Sequence, residues 1–305
     1  MQHSLPRFSI HGILLLDKPL TYSSNAALQR IKRLFAAKKA GHTGSLDPLA
    51  TGMLPICFGE ATKFSQFLLD SNKTYLVEAG LGIQTSTGDS EGEVIAQAPT
   101  SHLTQAKLEA CLSTFIGSIE QMPPMFSAIK HQGKPLYTYA RKGVEIERKT
   151  RRIQIYSLTL DAFTQERFHF TVHCSKGTYV RTLVEDICKA AGTVGSVLNL
   201  RRLAVTPYEN KPMVTMETLE SVCEKDGYEK LRHYLLPLES AVQGYPALKI
   251  NAATAFYLRQ GQAVRANVPY PAPLIRLYTD HDDFIGVGEI LADGRIKPHR
   301  LVAGK

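Results

Sequence analysis

Residues 40–59, AGHTGSLDPLATGMLPICFG, constrain this chain more than any other stretch. His42, Ser45 and Asp47 stand among Gly41, Gly44 and Gly52, with Pro48 directly after the aspartate. Glycines at that density allow close backbone approach and proline fixes a turn, so the residues predict an ordered loop. Polar chemistry carried on a rigid loop is the usual form of a site. A plainer reading is also open, a surface turn in which Asp47 caps a short helix.

The flanks bear on that choice. Residues 10–16, rich in Ile and Leu and followed by Asp17, Lys18 and Pro19, predict a buried strand and a turn. Ser23 or Ser24 then caps a helix whose apolar face is Ala27, Leu28, Ile31, Leu34 and Phe35, with Gly41 as its terminator. Arg30, Lys32, Arg33, Lys38 and Lys39 crowd the same helix and its end, which fits either a solvated face or a contact with nucleic acid. The chain has 36 Lys plus Arg against 28 Asp plus Glu, a basic excess that suits a polyanionic partner. Residues 60–69 read as a helix and 74–82 as a strand that begins near Tyr75, a residue equally at home in cross-strand packing. TSTGDSEGE, residues 85–93, lacks a full calcium-loop pattern and reads as a solvated hairpin turn without metal.

Thr104 caps a further helix. Residues 121–152 then mix prolines, basic residues and the aromatics Phe126, Tyr137 and Tyr139, as in a flap that grips nucleic acid by charge and stacking, or in a partner-free surface excursion. Strands follow at 153–160 and 168–174; His169 and His173 could share a face of the second, but no third ligand makes a metal site there. CSKGTYVRTLVEDICKAAG next reads as strand, glycine turn and amphipathic helix, with Tyr179 and Arg181 at the junction. An arginine at a helix start opposes the helix dipole, which points to an anionic neighbour, although pairing with Glu185 at i+4 is available. LNLRRLAV, residues 198–205, is a strand, and two short helices lead to a boundary near residues 244–246. The remainder predicts an Asn251-capped helix up to Gly261 and strands at 274–279, 284–291 and 295–302, a small, mostly β module. The five cysteines form no CxxC pair, no segment is long and apolar enough to span a membrane, and no signal peptide is evident, which together predict a cytoplasmic protein.

The chain has no P-loop, dinucleotide fingerprint, HExxH or GxSxG, so nucleotide hydrolysis, redox, and serine or zinc hydrolysis lack their usual parts. A carboxylate can act as nucleophile or electrostatic partner at a sugar carbon without any cofactor, which makes Asp47 the candidate. An arginine beside it would keep the carboxylate ionised and oriented, which argues for Arg181 as its partner.

The run GHTGSLDPLATGMLPICFGEATKFSQFLLDSNKTY, with LLLDKP before it and HCSKGTYVRTL and LRRLAV after it, resembles the motifs of bacterial tRNA pseudouridine-55 synthases, the TruB family. The resemblance runs from Gly12 to Val302. It implies an α+β pseudouridine synthase fold, a mixed, mainly antiparallel sheet flanked by helices, with a small PUA-like RNA-binding domain at the C-terminus. The implied organisation is a catalytic domain at 1–243, with 121–152 as its RNA-gripping insertion, and the PUA-like domain at 244–305. It also implies the reaction, isomerisation of a T-loop uridine in tRNA to pseudouridine, with no cofactor, no metal, no membrane and no required protein partner. Asp47 matches the catalytic aspartate, Tyr75 the tyrosine that stacks on the target base, and Arg181 the arginine paired with the aspartate. Tyr179 and Leu200 match substrate-pocket positions, and His42 the histidine that fills the space left by flipped bases. The alternatives are a non-catalytic RNA-binding or RNA-folding factor and an aspartate-dependent nucleoside hydrolase.

Overall fold

The structure is a computed structural model that describes residues 7–266 and 272–303. In chain order the elements are β1 (Gly12–Lys18), α1 (Ser24–Leu34), β2 (Ala40–His42), β3 (Ala50–Phe58), α2 (Ser65–Leu69), β4 (Lys73–Leu81), β5 (Ile83–Thr85), β6 (Val94–Gln97), α3 (Gln105–Ser113) and β7 (Gly117–Gln121). They continue with β8 (Lys130–His131), β9 (Lys134–Pro135), α4 (Leu136–Ala140), β10 (Arg151–Phe163), β11 (Arg167–Cys174), α5 (Val180–Ala190) and β12 (Gly195–Val205). The last are β13 (Val214–Thr215), α6 (Met216–Asp226), β14 (Ala247–Ile250), α7 (Ala252–Arg259), β15 (Val264–Arg265), β16 (Leu274–Thr279), β17 (Phe284–Ile290) and β18 (Arg295–Leu301). Two units emerge. One takes in the described residues up to Pro48, Met53–Asp70 and those from Thr206 on; the other comprises Leu49–Gly52 and Ser71–Val205.

Among the described residues the large sheet has nine strands in the order β13-β1-β3-β12-β4-β11-β10-β7, with β2 on β3. Pairs β1–β13 and β3–β12 are parallel, whereas β12–β4, β4–β11, β11–β10, β10–β7 and β2–β3 are antiparallel, so the sheet is mixed and mainly antiparallel. In the second unit β11 alternates strictly: Phe168, Phe170, Val172 and Cys174 are buried, and His169, Thr171 and His173 are half-exposed. That alternation is what a strand with one covered face requires. Helix α5 buries Val180, Leu183, Val184, Ile187 and Cys188, an i, i+3, i+4, i+7, i+8 stripe, and packs on β12.

In the first unit Ser23 caps α1, its hydroxyl accepting from the Ala26 N–H at 3.1 Å. The helix does not run to Gly41, which belongs to β2 instead. It stops at Phe35 because Ala36 turns into the left-handed region (φ 46°), and the Ala36 and Ala37 N–H groups close back on the Arg33 and Lys32 carbonyls. A closure that usually carries glycine is made here by alanine. Residues 60–69 likewise depart from a single helix: Gly59–Phe64 is a 3-10 turn that continues into α2.

The C-terminal strands form a five-stranded sheet ordered β14-β16-β17-β18-β15 over a core of Ile250, Leu258, Ile275, Leu277, Ile285 and Ile296. Asn251 caps α7 through the Thr254 N–H at 2.8 Å. This module is fastened to the 3-10 turn by the Ala303 N–H, which donates to the Glu60 carboxylate at 2.7 Å, and by packing of the Phe64 ring 5.6 Å from that of Phe284. Hydrogen bonding to Lys63 holds the Glu60 carboxyl below its usual range. No helix among the described residues is long and apolar enough to cross a membrane.

Candidate active site

The loop that carries Asp47 is the connection between β2 and β3, whose register is Ala40↔Phe58, Gly41↔Cys57 and His42↔Ile56. Within it Gly44 adopts φ 87°, a left-handed bend that suits glycine. The Thr43 N–H donates to the Pro55 carbonyl at 3.0 Å, tying the loop to the strand opposite. Residues on both sides of Asp47 are clamped. The Leu46 N–H donates to Ser24 Oγ at 2.7 Å while that hydroxyl donates to the Leu46 carbonyl at 3.0 Å, and the Pro48 carbonyl accepts from the Thr21 N–H at 2.9 Å. Ser24 is buried at the first position of α1, so the helix start holds the loop. Asp47 and His42 are half-buried, and Ser45 is exposed. The loop is anchored at three backbone points, and no helix among the described residues begins at Asp47.

The second unit carries Tyr75, Leu200, Tyr179 and Arg181. Tyr75 lies on β4 opposite Val172 of β11 and Arg202 of β12, and Leu200 pairs with Val77, two residues on from Tyr75. Period-two alternation puts Tyr75, Val77, Leu200 and Arg202 on one face. Leu200 and Arg202 also pair with Ala50 and Gly52 at the start of β3. Gly52 is in the left-handed region (φ 98°), where a Cβ would run into the Arg202 carbonyl, so only glycine permits this approach.

Tyr179 is the residue before α5. Gln121, at the end of β7 and almost fully buried, brackets it: the Tyr179 N–H donates to Gln121 Oε1 at 2.8 Å and Gln121 Nε2 donates to the Tyr179 carbonyl at 3.1 Å. Arg181, 7% exposed, donates from Nη1 to the Thr87 carbonyl at 2.9 Å and to Asp89 Oδ2 at 3.4 Å, and from Nη2 to the Phe126 carbonyl at 2.7 Å. The guanidinium thus joins α5 to the 85–93 turn and to the 121–152 insertion. Asp89 is an anionic neighbour of the kind expected at this helix start.

Asp89 corrects the expectation of a solvated turn at 85–93. It is 3% exposed, and its carboxylate accepts from the Thr87 hydroxyl and from the Glu91 N–H at 3.1 Å as well as from Arg181. The turn folds inward because a buried cation needs its carboxylate, a cause that lies 92 residues away in sequence. Gln121 was equally invisible, since a glutamine in a proline-rich stretch announces no partner. Burial raises the Glu185 and Asp186 carboxyls above their usual range. The insertion itself forms the β8–β9 ribbon and α4, with Lys130, Lys134, Arg141 and Lys142 exposed and the Arg141 guanidinium 5.5 Å over the Tyr137 ring. Among the described residues no group of three or more His, Cys, Asp or Glu is placed to hold a metal ion.

The chain is similar to known proteins along nearly its whole length. The family model described as TruB family pseudouridylate synthase (N terminal domain) matches residues 32–180. Models described as the tRNA pseudouridylate synthase B C-terminal domain and as pseudouridine synthase II TruB, C-terminal, match residues 181–243 and 246–302. A tRNA pseudouridine synthase B of Coxiella burnetii is 54% identical over 96% of this chain and 95% of its own, and that of Tolumonas auensis is 52% identical over 96% of this chain and 92% of its own. Among solved structures, a chain of a Cbf5-Nop10-Gar1 complex superposes with a TM-score of 0.72 at 25% identity, covering 97% of this chain and 84% of that one.

Proposed function

The chain belongs to the TruB family of pseudouridylate synthases, and on that premise we propose that it converts a T-loop uridine of tRNA to pseudouridine, with Asp47 as catalytic nucleophile. The observation that carries the reading is 54% identity over 96% of the chain to a protein named tRNA pseudouridine synthase B. The pseudouridine synthase fold and the C-terminal sheet, which matches the family's own C-terminal model, agree with it.

In the proposed reaction the bond between uracil N1 and the ribose breaks, the base rotates within the pocket, C5 bonds to the same sugar carbon, and the proton that C5 loses leaves N1 protonated in exchange. Asp47 acts at the sugar carbon, and clamping of Leu46 and Pro48 on either side supports a carboxylate held in place before substrate arrives. Arg181 pairs with Asp47; its fixed position, set by the Thr87 and Phe126 carbonyls and Asp89, supports a preorganised guanidinium. Tyr75 stacks on the flipped base, Tyr179 and Leu200 line its pocket, and His42 occupies the place the base leaves. Extrusion costs a few kcal/mol, which stacking and phosphate contacts offset. Residues 1–243 would form the catalytic domain, with the basic, aromatic insertion at 121–152 gripping the T arm, and 244–305 the PUA-like RNA-binding domain. The protein would work in the cytoplasm on tRNA without a protein partner.

The test is Asp47→Asn on a T-arm transcript, scored by chemical mapping of pseudouridine and by RNA affinity. The expected result is loss of product with affinity within a few-fold of wild type; full activity in the variant overturns the assignment. Free uracil among the products of the wild-type protein would point to a nucleoside hydrolase instead.

A further inference from the structure

Residues 19–23, which join β1 to α1, are braced at Pro19, Thr21, Tyr22 and Ser23. Fully buried Lys18 donates from Nζ to the Pro19 carbonyl at 2.9 Å and to the Tyr22 carbonyl at 2.6 Å. The Thr21 N–H holds Pro48, the residue after Asp47, while Ser24, three residues on, holds Leu46, the residue before it. Thr21 adopts φ 70°, a left-handed conformation that is a true outlier for a β-branched side chain. The outcome of this bracing and strain is that Leu20 and Tyr22 stand in water, 53% and 38% exposed, at the edge of the Asp47 loop. Neither exposure nor strain stabilises the folded chain, and strain that persists beside a site marks a functional constraint. The adjoining surface of α1 is cationic. Arg30 and Arg33 are exposed on it, and Arg30 pairs with Glu220 of α6 at 2.7 Å.

We propose that Leu20 and Tyr22 form a substrate-positioning rim, on which Tyr22 stacks against an RNA base flanking the target uridine while Arg30 and Arg33 meet the phosphates beside it. An aromatic face with cations at its border is the arrangement that takes unpaired nucleotides regardless of sequence. The inference rests on the reading of the chain as an RNA-modifying enzyme. Its occupant is fixed by continuity: whatever RNA reaches Asp47 passes residues hydrogen-bonded to the residue next to it.

The test is steady-state kinetics of tritium release from a T-arm stem–loop labelled at uridine C5, with RNA affinity measured alongside, for wild type, Leu20→Ser, Tyr22→Ala and Tyr22→Phe. Tyr22→Ala is expected to raise KM and Kd about tenfold, the worth of one base–aromatic stack. Its kcat should stay within about twofold and its melting temperature should not fall, since the ring is not part of a core. Tyr22→Phe should restore wild-type KM, because stacking uses the ring and not the hydroxyl. Unchanged KM in both Leu20→Ser and Tyr22→Ala, or a fall in kcat with KM unaltered, overturns the rim. Wild-type protein that binds the stem–loop but releases no tritium defeats the proposed reaction instead, and in that case the affinity of Tyr22→Ala alone decides whether the rim exists.

Discussion

The carboxyl of Glu185 sits one helical turn beyond Arg181 and is raised in pKa chiefly by burial, with Gln84 donating to it at 3.4 Å. A carboxyl whose folded pKa is raised binds its proton more tightly in the folded state, so stability falls as pH rises from below the ordinary value near 4.5 through the raised one. Glu185→Gln should therefore melt higher than wild type at neutral pH, and the difference should vanish as pH drops below that ordinary value; a gain that persists in acid would contradict the assignment. The residue scale is also where the sequence was least readable. Asp47, Tyr75 and Arg181 stood out because motifs of a known family surround them. Asp89 did not, since an aspartate among Ser, Thr and Gly looks solvated until a guanidinium from a distant helix is seen to bury it. Pairing across long sequence separation leaves no local mark.

Elements were easier to read than their partners. Ser23, Thr104 and Asn251 all cap the helices expected of them, and the strand at 274–279 has the predicted limits. Periodicity and capping act within a few residues, so they are written locally. The end of α1 was misplaced for the converse reason: its left-handed closing residue is Ala36, which no turn rule selects. Gly52 illustrates how one element positions another. It lets β3 approach β12 at Arg202, two residues from Leu200, so Gly52→Ala should displace that pairing, lower stability by about 2 kcal/mol or more, and reduce activity together with it. Denaturant titration alongside kinetics would check both, and a variant with unaltered midpoint and rate would show that the close approach is dispensable.

At the scale of the whole molecule the formal charge is +8, and exposed cations stand on α1 and along residues 121–152, as a polyanionic partner requires. Affinity for tRNA should accordingly fall linearly with salt on logarithmic axes, with a slope of about 0.9 per phosphate neutralised, and a flat titration would remove charge as the source of binding. The C-terminal strands were legible from pattern, and the mixed sheet with flanking helices from the family resemblance. What pattern alone could not reveal is the division of the chain, in which one unit is interrupted by the other. Lys73 and Val205 lie directly opposite each other on β4 and β12, so the long excursion between them leaves and returns at the same place. On a ribosome, which delivers the chain from one end, that arrangement sets a schedule: every strand of the interrupting unit emerges before Thr206, while the interrupted unit, begun first, must wait for β13 and the strands that follow. Strand β1 is thus made before the interrupting unit and meets its partner β13 only after it.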